Sequence, residues 1–325
     1  MAVQSGFCLR PLAPRQYHHS PGATARFPFF ESDHMYSGSI VALVTPMTDA
    51  GEVDYPGWDR LVDWHLAQGT DGIVVCGTTG ESPTVTLAEA LELTRRAVAR
   101  VAGRVPVISG SGTNDTASSI ERTRALAAAG ADAVLVVTPY FSKPTQEGLF
   151  QHFTAIADDS PVPVILYNVP GRTGVDMLPT TVARLAGHPR IVAIKEAVAG
   201  AARVRELRAL CGDDLDVLSG DDPTAVDALL EGAVGVISVT ANVAPAGMHA
   251  VCEAASLGDV EAARAADVPL RGLHEALFVE PNPIPAKWAV HRLGFIGTGI
   301  RLPLTPLTAG AQTAVMAAMS AAGVA

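Results

Sequence analysis

The chain has 325 residues, 48% of them hydrophobic and only 17% charged, with a mean hydropathy of +0.27; this suffices for one large core, or by length alone two domains, and excludes a disordered chain. The net charge of −10 and a pI near 5.3 argue against nucleic acid or anionic lipid as main partner, and no apolar stretch reaches the roughly 18 residues of a membrane span. Cys8, Cys76, Cys211 and Cys252 are scattered without a C-x-x-C pair, which implies neither a zinc site nor a disulfide framework and fits reduced thiols in a cytoplasmic protein.

Residues 1–36 differ from the rest. They carry Arg10, Arg15, His18, His19 and Arg26 with several prolines, have no acidic residue before Glu31, and lack the apolar core of a signal peptide. The expectation is a flexible extension, compositionally open to reading as an organelle transit peptide, with Met35 as a candidate start just before the first strand. From residue 39 onward, short apolar runs alternate with amphipathic Ala/Leu/Arg segments, the pattern of repeated βα units around a parallel sheet. The predicted strands are Ser39 to Pro46, Gly72 to Cys76, Val105 to Ser109, Ala133 to Thr138, Val164 to Asn168, Ile191 to Lys195, Asp216 to Ser219 and Gly235 to Val239. Helical patterns separate them. Thr86 to Ala102 places Leu87, Leu91, Thr94 and Val98 on one stripe, and Thr116 to Ala129 follows a capping pair, Asn114-Asp115. Eight such units predict an α/β fold, a (β/α)8 barrel over 37–257, and the helical stretches near 258–279, 284–293 and 306–323 predict a C-terminal helical region over 258–325.

In such a barrel the reactive groups gather where the strands end and the βα loops begin. Lys195 ends the sixth strand inside the apolar run Ile191-Val192-Ala193-Ile194-Lys195, and it is one of three lysines in the chain. An ammonium drawn into apolar surroundings loses hydration, which favours the neutral amine that forms a Schiff base with a carbonyl. A lysine that snorkels to solvent or pairs with a carboxylate fits the same run. Gly77-Thr78-Thr79-Gly80 after the second strand offers backbone N–H groups and two hydroxyls to an anion, or simply a turn. Tyr167, ending the fifth strand, is either a proton relay or a packed ring with a wet tip, and Arg172 in the loop beyond is either a carboxylate fork or a solvated side chain.

Taken together, GSIVALVTPM, GTTGES, VTPYF, LYNVPGRTG, IKEA, LSGDD, GVISVTANVA, FVEPNPIPAKW and RLPLTP resemble the dihydrodipicolinate synthase (4-hydroxy-tetrahydrodipicolinate synthase) family of pyruvate-dependent lyases, from about Gly38 to the C-terminal region. The resemblance implies Lys195 as the lysine that forms an imine with pyruvate, Tyr167 as the neighbouring proton donor and acceptor, and Thr78 as the hydroxyl linking the relay. It further implies that Thr79 and its turn hold the pyruvate carboxylate, that Arg172 receives the carboxylate of L-aspartate 4-semialdehyde, and that Gly220 and Ile237 line the site through their backbone. No metal or organic cofactor is implied, since the imine is itself the electron sink, and the family pattern is a homotetramer built as a dimer of dimers. Two departures stand out. Phe141 replaces a tyrosine that in the family crosses a subunit interface to complete the relay. Leu87, Ala90 and Ser118 replace the histidines and glutamate that bind feedback lysine, although Asn114 and Tyr140 remain, so weak or absent lysine inhibition is expected. Another pyruvate-dependent aldolase or 2-keto acid dehydratase on the same barrel is the nearest alternative, and a noncatalytic 2-keto-acid-binding paralogue is the alternative from a different class.

Overall fold

The computed structural model describes residues 34–324. Its strands are β1 (Gly38–Ala42), β2 (Gly72–Val75), β3 (Val107–Gly110), β4 (Ala133–Val137), β5 (Val164–Asn168), β6 (Ile191–Glu196), β7 (Asp216–Ser219) and β8 (Gly235–Ser238). They pair in sequence order, and β8 closes on β1 in a parallel register that sets Ile40 against Ile237. The strands read as continuous apolar runs because both faces are covered. Ile40, Val74, Ile108, Leu135, Ile165, Ala193, Leu218 and Ile237 fill the barrel interior, while Val41, Val75, Val136, Leu166, Ile194 and Val236 pack outward with the helices.

The barrel helices are α1 (Tyr55–Ala67), α2 (Leu87–Val101), α3 (Thr116–Ala128), α4 (Gln146–Asp159), the single turn α5 (Pro170–Thr173), α6 (Pro179–Ala186), α7 (Ala201–Cys211), α8 (Ala225–Leu230) and α9 (Pro245–Ser256). The (β/α)8 barrel is therefore present, with local corrections. The predicted first strand ran to Pro46, but the ladder stops at Ala42; beyond it Val44 N donates to Asn242 Oδ1 at 2.9 Å and Thr45 Oγ1 to the Gly80 carbonyl at 2.7 Å. Apolar character continues while the hydrogen bonds leave the sheet. On α2 the buried row is Ala90, Leu93, Thr94, Ala97 and Val101. Leu87 is half-buried, and Leu91 and Val98 flank that row, since the two alanines let the helix sit close to the sheet. Thr86 and Glu89 form a reciprocal capping box at its start, and Asp115 caps α3 through Ser118 N.

The segment predicted as one helix over 258–279 is two, α10 (Val260–Asp267) and α11 (Arg271–Ala276), because Pro269 lies in a tight turn at Val268–Leu270 and supplies no N–H. Then come α12 (Ile284–Arg292) and α13 (Ala309–Ala321). The expected extension over 1–36 falls, up to residue 33, outside the described residues; Tyr36 is buried and donates its hydroxyl to the Asp132 carbonyl. Among the described residues no helix is long and apolar enough to cross a membrane, and Cys76, Cys211 and Cys252 are buried free thiols.

Candidate active site

Strand alternation decides which side chains enter the barrel. On β5 and β6, Tyr167 and Lys195 are register partners and share the inward parity of Ile165 and Ala193, while Asn168 and Glu196, also partners, face out. Lys195 is 5% exposed, and its Nζ lies 4.5 Å from the centre of the Tyr167 ring. It forms no ion pair among the described residues, whereas Lys287, equally buried, is locked to Glu81. The two buried lysines thus have opposite settings: one ammonium is neutralised by a carboxylate, and the other amine faces an aromatic ring. The snorkelling and ion-pair readings of Lys195 fail on this geometry.

Gly220 stands beside the lysine. A Cβ at this position would lie 2.9 Å from Lys195 Cε and 2.9 Å from Ala197 Cβ, so its lack of a side chain makes room for the amine's stem. Ile237 is a buried interior residue of β8. Behind Lys195, Glu196 accepts from Asn168 Nδ2 at 3.1 and 3.0 Å and from Val198 N at 2.8 Å. Burial pushes its carboxyl up to about 7, against the opposing effect of those donors.

The glycine-rich turn is internally bonded by Gly80 N to Gly77 O at 3.0 Å and Glu81 N to Thr78 O at 3.1 Å. This leaves the Thr78 and Thr79 amides without a backbone partner among the described residues, as an anion-gripping turn requires. Thr79 is buried and Thr78 half-buried. Arg172 rides on α5, which Gly174 closes with a left-handed backbone, φ +74°. Its guanidinium is exposed and reaches the Asn282 carbonyl, Nη2 to O 3.3 Å.

A cavity of about 370 Å³ at this mouth is lined by Thr78, Tyr167, Arg172, Tyr140 and Arg122, and no carboxylate side chain faces it. Tyr167 is the shared wall: one ring lines the cavity and neighbours the lysine. Lys195, Thr79, Gly220 and Ile237 do not line it, and no hydrogen bond joins Thr78 to Tyr167. Phe141 is 89% exposed and also stands off the cavity, at φ +71°, where Ser142 N bonds back to Tyr140 O at 2.8 Å.

Residues 35–322 match the Dihydrodipicolinate synthetase family. The chain belongs to that family. A relative in Teredinibacter turnerae, named 4-hydroxy-tetrahydrodipicolinate synthase, is 54% identical over 289 residues, covering 89% of this chain and 99% of the relative. The chloride-inhibited dihydrodipicolinate synthase of Acinetobacter baumannii, solved with pyruvate, superposes with a TM-score of 0.88 at 48% identity over 89% of this chain and 99% of that one. A structure described as the first monomeric dihydrodipicolinate synthase variant gives 0.87 at 41% identity over 90% and 98% of the respective chains.

Within this dihydrodipicolinate synthetase barrel, three contributors were not singled out by sequence reasoning. Arg122 on α3 makes no hydrogen bond or ion pair with any described residue and points a second guanidinium at the cavity. Glu81, at φ +57°, joins Lys287 and accepts from Arg301 N, pinning the turn's far end to the C-terminal region. Asn282 donates Nδ2 to Thr79 Oγ1 at 3.0 Å. Glu81 lies in the run GTTGES and Asn282 in FVEPNPIPAKW, and neither run assigned its residue a task.

Proposed function

We propose that this chain is a 4-hydroxy-tetrahydrodipicolinate synthase, a Schiff-base lyase of the class I aldolase type that condenses pyruvate with L-aspartate 4-semialdehyde. The observation that carries the reading is Lys195, buried, free of any carboxylate among the described residues and 4.5 Å from the Tyr167 ring, in a family barrel whose cavity shows guanidinium groups and no acid. Both substrates are carboxylates, so such a wall favours their entry.

The deprotonated amine of Lys195 attacks the pyruvate ketone, and loss of water leaves an imine. Its nitrogen withdraws electrons, so Tyr167 passes its hydroxyl proton to that nitrogen as it takes a methyl proton, and the enamine carbon then attacks the aldehyde carbon of the second substrate. The new alkoxide takes a proton back through Tyr167 and Thr78. The amine of the former semialdehyde then adds to the imine carbon, the lysine leaves as free amine, and the ring closes as a hydroxylated tetrahydropyridine dicarboxylate. One water is released in all. Thr79 and the turn amides hold the pyruvate carboxylate, Arg172 the carboxylate of the semialdehyde, and Gly220 and Ile237 complete the walls around the lysine.

Reduction with borohydride in the presence of pyruvate is expected to add the reduced pyruvyl group to Lys195, read by peptide mass, and Lys195→Ala to abolish it. Trapping without turnover of the semialdehyde in a coupled assay would move the assignment to another pyruvate-dependent aldolase or 2-keto acid dehydratase; an unmodified Lys195 overturns every Schiff-base reading. A homotetramer of paired dimers is what the family resemblance implies; the solvent-facing ring of Phe141 beside Tyr140 fits a contact between copies, and sedimentation tests the subunit count. The buried free thiols support a cytoplasmic setting.

A further inference from the structure

We infer that Asn282, outside the barrel proper, is a positioning residue that orients the Thr79 hydroxyl toward the pyruvate carboxylate; the inference rests on the proposed synthase reading. Asn282 is 5% exposed and lies in the C-terminal region, 203 residues from its partner. Its side-chain Nδ2 donates to Thr79 Oγ1 at 3.0 Å. A hydroxyl has one proton and two acceptor lone pairs, so a donor on the oxygen occupies a lone pair and leaves the proton to be given elsewhere. With Thr79 at the turn whose amides are unpartnered, that proton has a carboxylate oxygen as its natural acceptor. The same residue's main-chain carbonyl accepts from Arg172 Nη2 at 3.3 Å. The grips proposed for the two substrates therefore meet at Asn282, one through its side chain and one through its backbone.

The chemistry of the residue supports a task beyond filling space. Asn282 Oδ1 is buried and has no hydrogen-bond partner. An amide buried with part of its hydrogen-bonding capacity unmet is costlier than an aliphatic residue of the same volume. Its single side-chain bond is the one to Thr79, so that bond is where the selective value of the amide lies.

The side-chain and main-chain contacts make the test discriminating. Asn282→Ala removes only the donor to Thr79 and is expected to raise the pyruvate KM about fivefold to tenfold, the worth of one neutral hydrogen bond, while the semialdehyde KM stays within twofold. Asn282→Asp keeps the shape but draws the Thr79 proton toward itself and adds a negative charge, so the pyruvate KM rises further. If the alanine variant does not fold, the isosteric aspartate variant decides the matter. In a Thr79→Val background, Asn282→Ala is expected to add no further increase. A pyruvate dependence unchanged in both variants, an equal rise in both KM values, or full additivity with Thr79→Val overturns the inference. Borohydride trapping of wild type separates this outcome from failure of the parent reading: no trapping in wild type refutes the synthase proposal, whereas trapping in wild type with an unshifted pyruvate curve in the variants refutes the role of Asn282 alone.

Discussion

Glu196, one residue after the lysine, makes the protein's stability depend on pH in a direction opposite to that of most carboxylates. The side chain is 2% exposed, and burial lifts its pKa from the ordinary 4.5 to about 7 although Asn168 and Val198 donate to it. The Arg203–Asp176 pair nearby contributes opposing effects, the arginine favouring the charged form and the aspartate disfavouring it. Below about pH 4.5 both folded and unfolded chains hold the proton, and the site costs nothing. Between 4.5 and about 7 the unfolded chain releases the proton while the folded one retains it, so stability falls as pH rises, and above 7 the full penalty is present. At about 1.4 kcal/mol per pH unit this amounts to about 3 kcal/mol. Glu196→Gln abolishes the titration; its oxygen can still accept from Val198 N, but its amide meets the Asn168 amide, at a cost of about 1 kcal/mol. Urea unfolding at fixed protein concentration from pH 4.5 to 8 is therefore expected to show curves crossing near pH 5, with the variant more stable by about 2 kcal/mol at pH 8. A constant offset between variant and wild type across this range, or a variant that loses ground as pH rises, refutes the reasoning.

Gly220→Ala is expected to lower kcat/KM and the rate of borohydride trapping by about tenfold or more, because its Cβ meets Lys195 Cε at 2.9 Å and the backbone-anchored Ala197 Cβ cannot yield; trapping at the wild-type rate would show that the lysine stem has room. Phe141→Tyr supplies a hydroxyl to the relay and is expected to raise synthase turnover, within the roughly 10²–10⁴-fold span of general acid–base groups, whereas an unchanged or lower kcat shows the missing hydroxyl is already compensated. Free lysine is expected to leave the rate unaffected at submillimolar concentration, since Leu87, Ala90 and Ser118 offer its ammonium and carboxylate no charged partner, and half-inhibition in that range contradicts this. Lys287→Met leaves Glu81 buried without its cation and is expected to destabilise the protein by about 3–5 kcal/mol in denaturant unfolding, with the Glu81→Gln/Lys287→Met double variant recovering most of it; equal losses in both would assign the effect to packing.

What was legible in the sequence follows from how far each interaction reaches. The barrel strands showed because strands covered on both faces must be apolar throughout, and a lysine such as Lys195 interrupting one has no local reason to be there. Register then did what periodicity could only hint at, pairing Tyr167 with Lys195 while turning Asn168 and Glu196 to the opposite face. Hydropathy could not show that Val44 to Pro46 leaves the ladder, because it records burial and not where an N–H goes. It also misjudged α2, where Ala90 and Ala97 are in the buried row and the larger Leu91 and Val98 are only partly buried.

The least legible contacts join the C-terminal region to the glycine-rich turn. Asn282 to Thr79 and Lys287 to Glu81 span 203 and 206 residues, and no local propensity encodes a pairing at that separation. These contacts give that region a physical reason to be attached to the barrel. The turn's internal bonds from Gly80 N and Glu81 N leave the Thr78 and Thr79 amides free, and bonding those two as well would take them from an anion, so the rest of its frame is supplied from outside. Asn282 holds one of its hydroxyls, and Lys287 with the Arg301 amide holds the Glu81 carboxylate at its far end. A barrel truncated after α11 would keep the lysine and lose Asn282, Lys287 and Arg301, the frame around the turn.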